Sequence, residues 1–220
     1  MSPRTKEQNE EIRWMRVQQI IRAAAEVYLD KGYVMEMRDV AVHAGLGYGT
    51  VYHYYRNKLQ LFDDLFHHAL DQAKTVIHHA SENNQGTELK EICKRLVQLW
   101  VKEPAVFILY KMVAENFHQL PDERYDLVLA RFQEELYRPM VEAMQRHDFN
   151  EKRKRANAGN GFEAQSGNNP NEWAERRINA MIGALVGCAG LYIHHRNDAK
   201  HLDEVVDVLF AGFGVSEAEL

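Results

Sequence analysis

Apolar residues recur along this chain at intervals of three and four, with no sustained alternation, so the pattern predicts an all-α protein. From Ile12 to Lys31 one stripe holds Trp14, Val17, Ile20, Ile21, Ala24, Val27 and Tyr28, and Gly32 stands where a C-terminal cap belongs. Residues 1–11 lack periodicity and read as a mobile arm. A short stripe follows at Met37, Val40, Ala41 and Ala44, broken by Gly45. Leu46 is the apolar plug of that turn, and Gly47 opens a segment from Tyr48 to Tyr55. Asn57 is a good N-cap for a helix from Lys58 to about Ser81. The wide apolar face of that helix includes Leu61, Phe62, Leu65 and Phe66.

Residues 81–87 read as a loop, with Thr87 capping a helix through Lys102. Pro104 occupies the favoured first turn of another helix, containing Phe107, Tyr110, Met112 and Phe117. A long helix is expected from about Asp122 to His147, with Pro139 inside it to bend it or free a carbonyl. The stretch 148–171 is charged, then rich in Gly, Asn and Ser, and reads as a flexible surface loop. Its basic run, Lys152 to Arg155, is read as solvated. Two C-terminal helices complete the pattern, Asn171–Asn197 and Leu202–Phe213. The first carries Gly183, Gly187 and Gly190 within its apolar stripe, each costing roughly 1 kcal/mol against Ala unless another helix approaches closely.

The segment Met37–Lys58 narrows the function. Two short helices joined through a Gly-containing turn describe a helix-turn-helix, whose second helix enters a major groove. Val51 and Tyr54 or Tyr55 are spaced to pack inward, leaving Tyr48, Gly49, Thr50, Tyr52 and His53 outward. Hydroxyls and a cation at Lys58 along one edge suit phosphate oxygens. Arg13, Arg16 and Arg22 on the preceding helix, and Arg4 and Lys6 in the arm, are further phosphate candidates.

The chain has 220 residues, 45% hydrophobic and 27% charged, enough for one large domain or two smaller ones. Net charge is −5, against a protein that coats nucleic acid, yet residues 1–58 carry nine Lys/Arg and seven Asp/Glu. A basic head on an acidic body suits DNA contact through one end. Cys93 and Cys188 both lie in apolar helical patterns, as expected of buried thiols in the cytoplasm. No signal peptide or membrane-spanning run is read, so no membrane partner is expected.

Ile21-x-x-Ala24-Ala25, Gly32-Tyr33, Val40-Ala41, Ala44-Gly45-Leu46, Gly49 to Tyr55 and Lys58 together resemble the DNA-binding domain of TetR-family transcriptional regulators. Roughly the first 65 residues carry the resemblance closely; beyond them only helical pattern and length agree. Three departures stand out. Glu36 replaces the usual Ser or Thr cap, with the preceding turn one residue short, and Gly47 and Tyr48 replace the usual Ser and Lys.

The resemblance implies a DNA-binding domain over 1–60 and a ligand-binding and dimerisation domain over 61–220. It implies a homodimer on a double-stranded, palindromic DNA operator, answering an unidentified small-molecule effector, with no cofactor. Expected DNA contacts are Arg38, Gly47, Tyr48, Gly49, Thr50, Tyr52, His53 and Lys58. Expected pocket residues are Phe66, Trp100, Phe107, Tyr110, Met112, Phe117, Tyr125 and Phe132, with Asn116 and His118 as polar members. The expected dimer interface is Ile182, Gly183, Val186, Gly187, Gly190, Val206, Leu209, Phe210 and Phe213.

Other chemistries are weaker. There is no phosphate-binding Gly loop, nucleophile elbow or HExxH, so an enzyme is not expected. His67 with Asp71, or His78 with Glu82, has the i,i+4 spacing of a metal pair, leaving a metal-sensing regulator as an alternative. A helical protein–protein interaction module is the other.

Overall fold

The computed structural model describes residues 5–81, 88–115, 124–157, 170–195 and 201–213, and among them every regular element is helical. Helix α1 runs from Lys6 to Lys31, six residues longer at its start than the apolar stripe predicts. The cause is a capping box: Thr5 Oγ1 accepts from the Gln8 backbone N–H at 3.3 Å, and Gln8 Oε1 accepts from the Thr5 N–H at 3.1 Å. The expected arm is therefore helical from Lys6 onward, and Arg4 lies outside the described residues. Trp14 departs from the expected stripe and is 63% exposed, because α1 meets the core only from Val17 on.

After a 3₁₀ turn at Gly32–Val34 come α2 (Met37–His43) and α3 (Tyr48–Tyr54), then α4 (Lys58–Ser81). Met37, Val40, Ala41, Val51 and Tyr55 pack with Ile20, Ala24 and Tyr28 in one buried cluster. Asn57 caps α4 as expected, its Oδ1 accepting from the Gln60 N–H at 2.9 Å. At 24 residues α4 spans about 36 Å. It packs on α1 near one end and on α5 (Glu88–Lys102), α6 (Pro104–Ala114) and α7 (Arg124–Phe132) further along. Edge-to-face packing of Tyr28 on Phe62, centroids 5.4 Å apart, joins α1 to α4. Tyr28 also donates its hydroxyl to Met112 Sδ at 3.8 Å, so α6 touches the head directly.

The long helix predicted around Pro139 is present but not uniform. Helix α7 passes through a π turn, Gln133–Tyr137, into α8 (Arg138–Asn157). The Arg138 N–H reaches back to the Gln133 carbonyl, directly before the proline that cannot donate. Helix α8 continues ten residues beyond the expected end at His147, so 148–157 are not loop. Asp148 explains much of this: Arg177 of α9 (Pro170–His195) bonds its carboxylate at 2.5 Å. Burial opposes charge on Asp148, but the bonds from His147 and Arg177 outweigh it and hold the carboxyl below its ordinary pKa. The remaining part of the expected loop, 158–169, lies outside the described residues. Helix α10 (Leu202–Gly212) packs on α5 and α9. No described helix is long and apolar enough to cross a membrane.

Candidate nucleic-acid interface

Helix α2 starts without the Ser or Thr common at such positions. Asp39 compensates, its Oδ2 accepting from the Glu36 backbone N–H at 2.9 Å while Lys31 Nζ donates to its Oδ1 at 2.7 Å. The Lys31 bond and then the backbone bond hold the Asp39 carboxyl below its ordinary pKa. At the far end of α2 the Gly45 N–H bonds the Val42 carbonyl at 3.1 Å and the Leu46 N–H bonds the Ala41 carbonyl at 2.9 Å. That pair of bonds is a Schellman motif, and it needs Gly45 at φ +63°. Leu46 packs back on the core, as the plug expected of it.

The turn thus sets the direction of α3. Gly47 is its N-cap, with φ −63° and no side-chain bond. Val51 and Tyr55 are buried, Tyr54 is half-buried, and Tyr48, Gly49, Thr50, Tyr52 and His53 face solvent together with Arg38. Inward and outward residues therefore separate as the spacing predicts. Tyr48 and Tyr52 lie ring against ring, centroids 4.5 Å apart and planes tilted 49°.

Lys58 is placed differently from the expectation. Its Nζ donates to the carbonyls of Tyr33 at 2.8 Å and Met35 at 3.4 Å, and sits 4.2 Å from the Tyr33 ring centroid. This half-buried ammonium ties the start of α4 to the turn between α1 and α2, instead of standing in solvent as a phosphate contact would. Two ties went unread in the sequence. Gln19 Nε2 donates to the Ala44 carbonyl at 2.7 Å, and Arg16 donates to Gln19 Oε1 at 2.8 Å. His43 Nε2 lies 2.6 Å from Glu26 Oε2, and Arg22 bonds the same carboxylate at 3.2 Å. Partial burial works against charge on Glu26, yet His43 and Arg22 hold its pKa below the ordinary value. The signal for both was polar residues on the inner flank of α1, which periodicity discards. Arg22 is thereby engaged with Glu26, whereas Arg13 is exposed.

In the body, Trp100, Tyr110, Phe107 and Phe132 form a buried aromatic cluster, with centroids 5.0 Å apart for Trp100–Tyr110 and 5.2 Å for Tyr110–Phe132. Phe66 stacks edge-on to Tyr125 at 5.6 Å, and Met112 is buried. Trp100 Nε1 and Tyr110 OH are buried with no hydrogen-bond partner among the described residues, and burial pushes the Tyr110 hydroxyl pKa up. Phe117, Asn116 and His118 lie outside the described residues. A separate cavity of about 290 Å³ opens between α1 and the start of α6, among Met15, Gln18, Arg22, His68 and Glu103.

The expected interface divides. Ile182, Val206 and Phe210 are buried within the single chain, because α5 and α9 pack across α10; they are corrected to core. Gly190 faces Phe107, a Cβ there meeting Cζ at 3.6 Å. Gly183 and Gly187 are exposed with open space around them, and Val186, Leu209 and Phe213 are half-buried. Exposed Trp173, Leu191 and Val208, not read beforehand, lie on the same two helices.

His67 does not form the metal pair its spacing allowed. Arg131 Nη1 donates to His67 Nδ1 at 2.8 Å, and Nη2 bonds Asp71 at 2.8 Å. Glu82 and the side chains of His194 and His195 lie outside the described residues. Among the described residues no group of three or more His, Cys, Asp and Glu is placed to hold a metal ion.

Residues 20–65 match the family model of bacterial regulatory proteins, tetR family. No curated protein matches the sequence. Among solved structures, the ketosteroid transcriptional regulator KstR2 of Mycobacterium tuberculosis is similar, with a TM-score of 0.63 at 16% identity over 93% of this chain and 96% of that one. The TetR-like regulator LfrR from Mycobacterium smegmatis, solved with proflavine, gives 0.61 at 20% identity over 94% and 98%. AibR, solved with isovaleryl coenzyme A and operator DNA, gives 0.59 at 16% identity over 89% and 97%. At these identities the likeness shows a shared fold along nearly the whole chain.

Proposed function

We propose that this chain, whose residues 20–65 belong to the tetR family of bacterial regulatory proteins, is a cytoplasmic, dimeric transcriptional repressor released from a palindromic operator by a small molecule. It binds rather than catalyses. The observation that carries the reading is α3: its inner side is locked into the core by Val51 and Tyr55 while Tyr48, Gly49, Thr50, Tyr52 and His53 stand free in one outward row. Such a helix fits the major groove, with Thr50, Tyr52 and His53 toward phosphates and Tyr48 and Gly49 toward base edges. Arg38 and Arg13, both exposed, add cations to the same end.

Two copies would join through the outward faces of α9 and α10. Gly183 and Gly187 leave a shallow groove, and Leu191, Val208 and Trp173 supply apolar surface around it. The effector would bind in the body, where the unpartnered Trp100 N–H and Tyr110 hydroxyl await polar atoms. AibR was solved with isovaleryl coenzyme A and operator DNA, and LfrR with proflavine, which supports DNA and a small molecule as the two kinds of ligand for this chain. Release follows when the effector prefers a state in which α4 and α6 hold the heads at a spacing the operator does not match.

Selection of duplexes from a random pool by the full chain tests this. An enriched inverted repeat bound by a dimer is expected, and Gly187→Leu should give monomer with no operator binding. No enriched sequence, or a native monomer by sedimentation at micromolar concentration, refutes it.

A further inference from the structure

Tyr48 and Tyr52 are one helical turn apart, and side chains on a helix lean toward its N-terminus, so the Tyr52 ring is laid back against Tyr48. Tyr48 is nevertheless half exposed, at 50%, and Tyr52 is 38% exposed. The result is an aromatic ring held in one direction at the leading turn of α3. Beside it a Cβ on Gly49 would meet nothing within 4 Å, so a duplex can approach the backbone there.

Tyr48 offers its ring face and C–H edge beside its hydroxyl, and the ring is apolar surface. In the major groove the base feature that matches apolar surface is the C5-methyl of thymine, which cytosine, adenine and guanine lack. We infer that Tyr48, positioned by Tyr52, reads one thymine methyl in each operator half-site. The inference rests on α3 reading DNA, and it names what is read. Tyr48 is the specificity-determining contact; Tyr52 is a positioning residue that fixes its direction.

The test replaces each thymine of the selected operator, one at a time, by deoxyuridine, which removes only the methyl. For the full-length native protein, one thymine per half-site should then lose about fourfold in affinity, the ratio expected for uncovering one methyl-sized group. Tyr48→Ala should bind the thymine and deoxyuridine duplexes equally at that position, and Tyr48→Phe should keep the discrimination. Both variants alter an exposed side chain, and matching thermal transitions confirm that the comparison is between folded proteins. Three results overturn the inference alone: no deoxyuridine position that weakens binding, a penalty that persists in Tyr48→Ala, or one that disappears in Tyr48→Phe. Failure to select any operator overturns the DNA reading and this inference with it.

Discussion

The Lys58 ammonium donates to the Tyr33 carbonyl at 2.8 Å across a gap of 25 residues, and the same group lies over the Tyr33 ring. One cation therefore closes the turn between α1 and α2 onto the first residue of α4. Lys58→Ala should destabilise the protein by about 1–2 kcal/mol, since a charge-assisted bond and a cation–π contact are lost together. Denaturant titration reads that loss. The salt dependence of DNA binding should stay as in the native protein, whereas Arg38→Ala should lower the slope of log K against log salt by about one. A Lys58→Ala slope lowered by one would return Lys58 to the phosphates.

Two glycines flank Leu46 with opposite expectations. Gly45 sits at φ +63°, so Gly45→Ala should cost about 1 kcal/mol or more and blunt DNA binding by misdirecting α3. Gly47 has an ordinary φ of −63°, and a Cβ there would meet Thr50 Oγ1 at an unstrained 3.6 Å. Gly47→Ser should therefore stabilise by a few tenths of a kcal/mol, roughly the advantage of Ser over Gly at an N-cap. Paired thermal melts of the two variants give the contrast directly.

Acid should loosen the clasp between α4 and the π turn. Arg131, then Lys74, bond Glu135 strongly enough to bring its carboxyl from 4.5 down to about 2 despite partial burial. A lowered folded-state pKa means the carboxylate stabilises fully above the unfolded value and loses that effect as pH falls from 4.5 toward 2. Glu135→Gln should thus be less stable than the native chain at pH 7, with the gap shrinking over that acid range. Urea midpoints at pH 7 and at pH 3 check it; a gap independent of pH would exclude the charge as its origin.

Tyr110→Phe removes a buried hydroxyl that has no partner among the described residues. The ligand-free protein should gain up to about 1 kcal/mol in stability, because an unsatisfied polar group leaves the core. Effector-induced release from the operator should weaken at the same time, while affinity for the operator stays unchanged. A fall in thermal midpoint would show that the hydroxyl contributes to stability where it is.

Much of this was legible in the residues, and the misses have a common cause. The stripe of α2, Gly45, Leu46 and the outward row of α3 follow from helical spacing and one obligatory turn, both short-range. Asn57 as a cap and the span of α4 follow likewise. What spacing does not reveal is which neighbour an element meets. Lys58 has a good residue type for a phosphate, and only the fold brings the Tyr33 and Met35 carbonyls to it. Ile182, Val206 and Phe210 are apolar enough for either a core or an interface, and the crossing of α10 with α5 and α9 decides for the core. The early start of α1 is written in Thr5-x-x-Gln8, a polar cap that lies ahead of any apolar stripe, and no residue from Lys6 to Gln19 is fully buried.

The π turn at Gln133–Tyr137 also governs the rotational phase of all that follows it. Val128, Phe132, Leu136, Met140 and Met144 are all buried, and each is four residues after the last. On an unbroken α-helix, at 100° per residue, that series would wind about 160° around the axis over its length. The widened turn lets the late members return to the side of the early ones. Closing that turn into ordinary α-helix at unchanged length would act like a twist of about 100° on the remaining cylinder, carrying Met144 off the core and bringing polar neighbours such as Glu142 toward it, whereas a single-residue deletion that closed the turn would leave the phase as it is. The widened turn thus corrects the phase by absorbing one spare residue, and the seating of α8 against α9 depends on it.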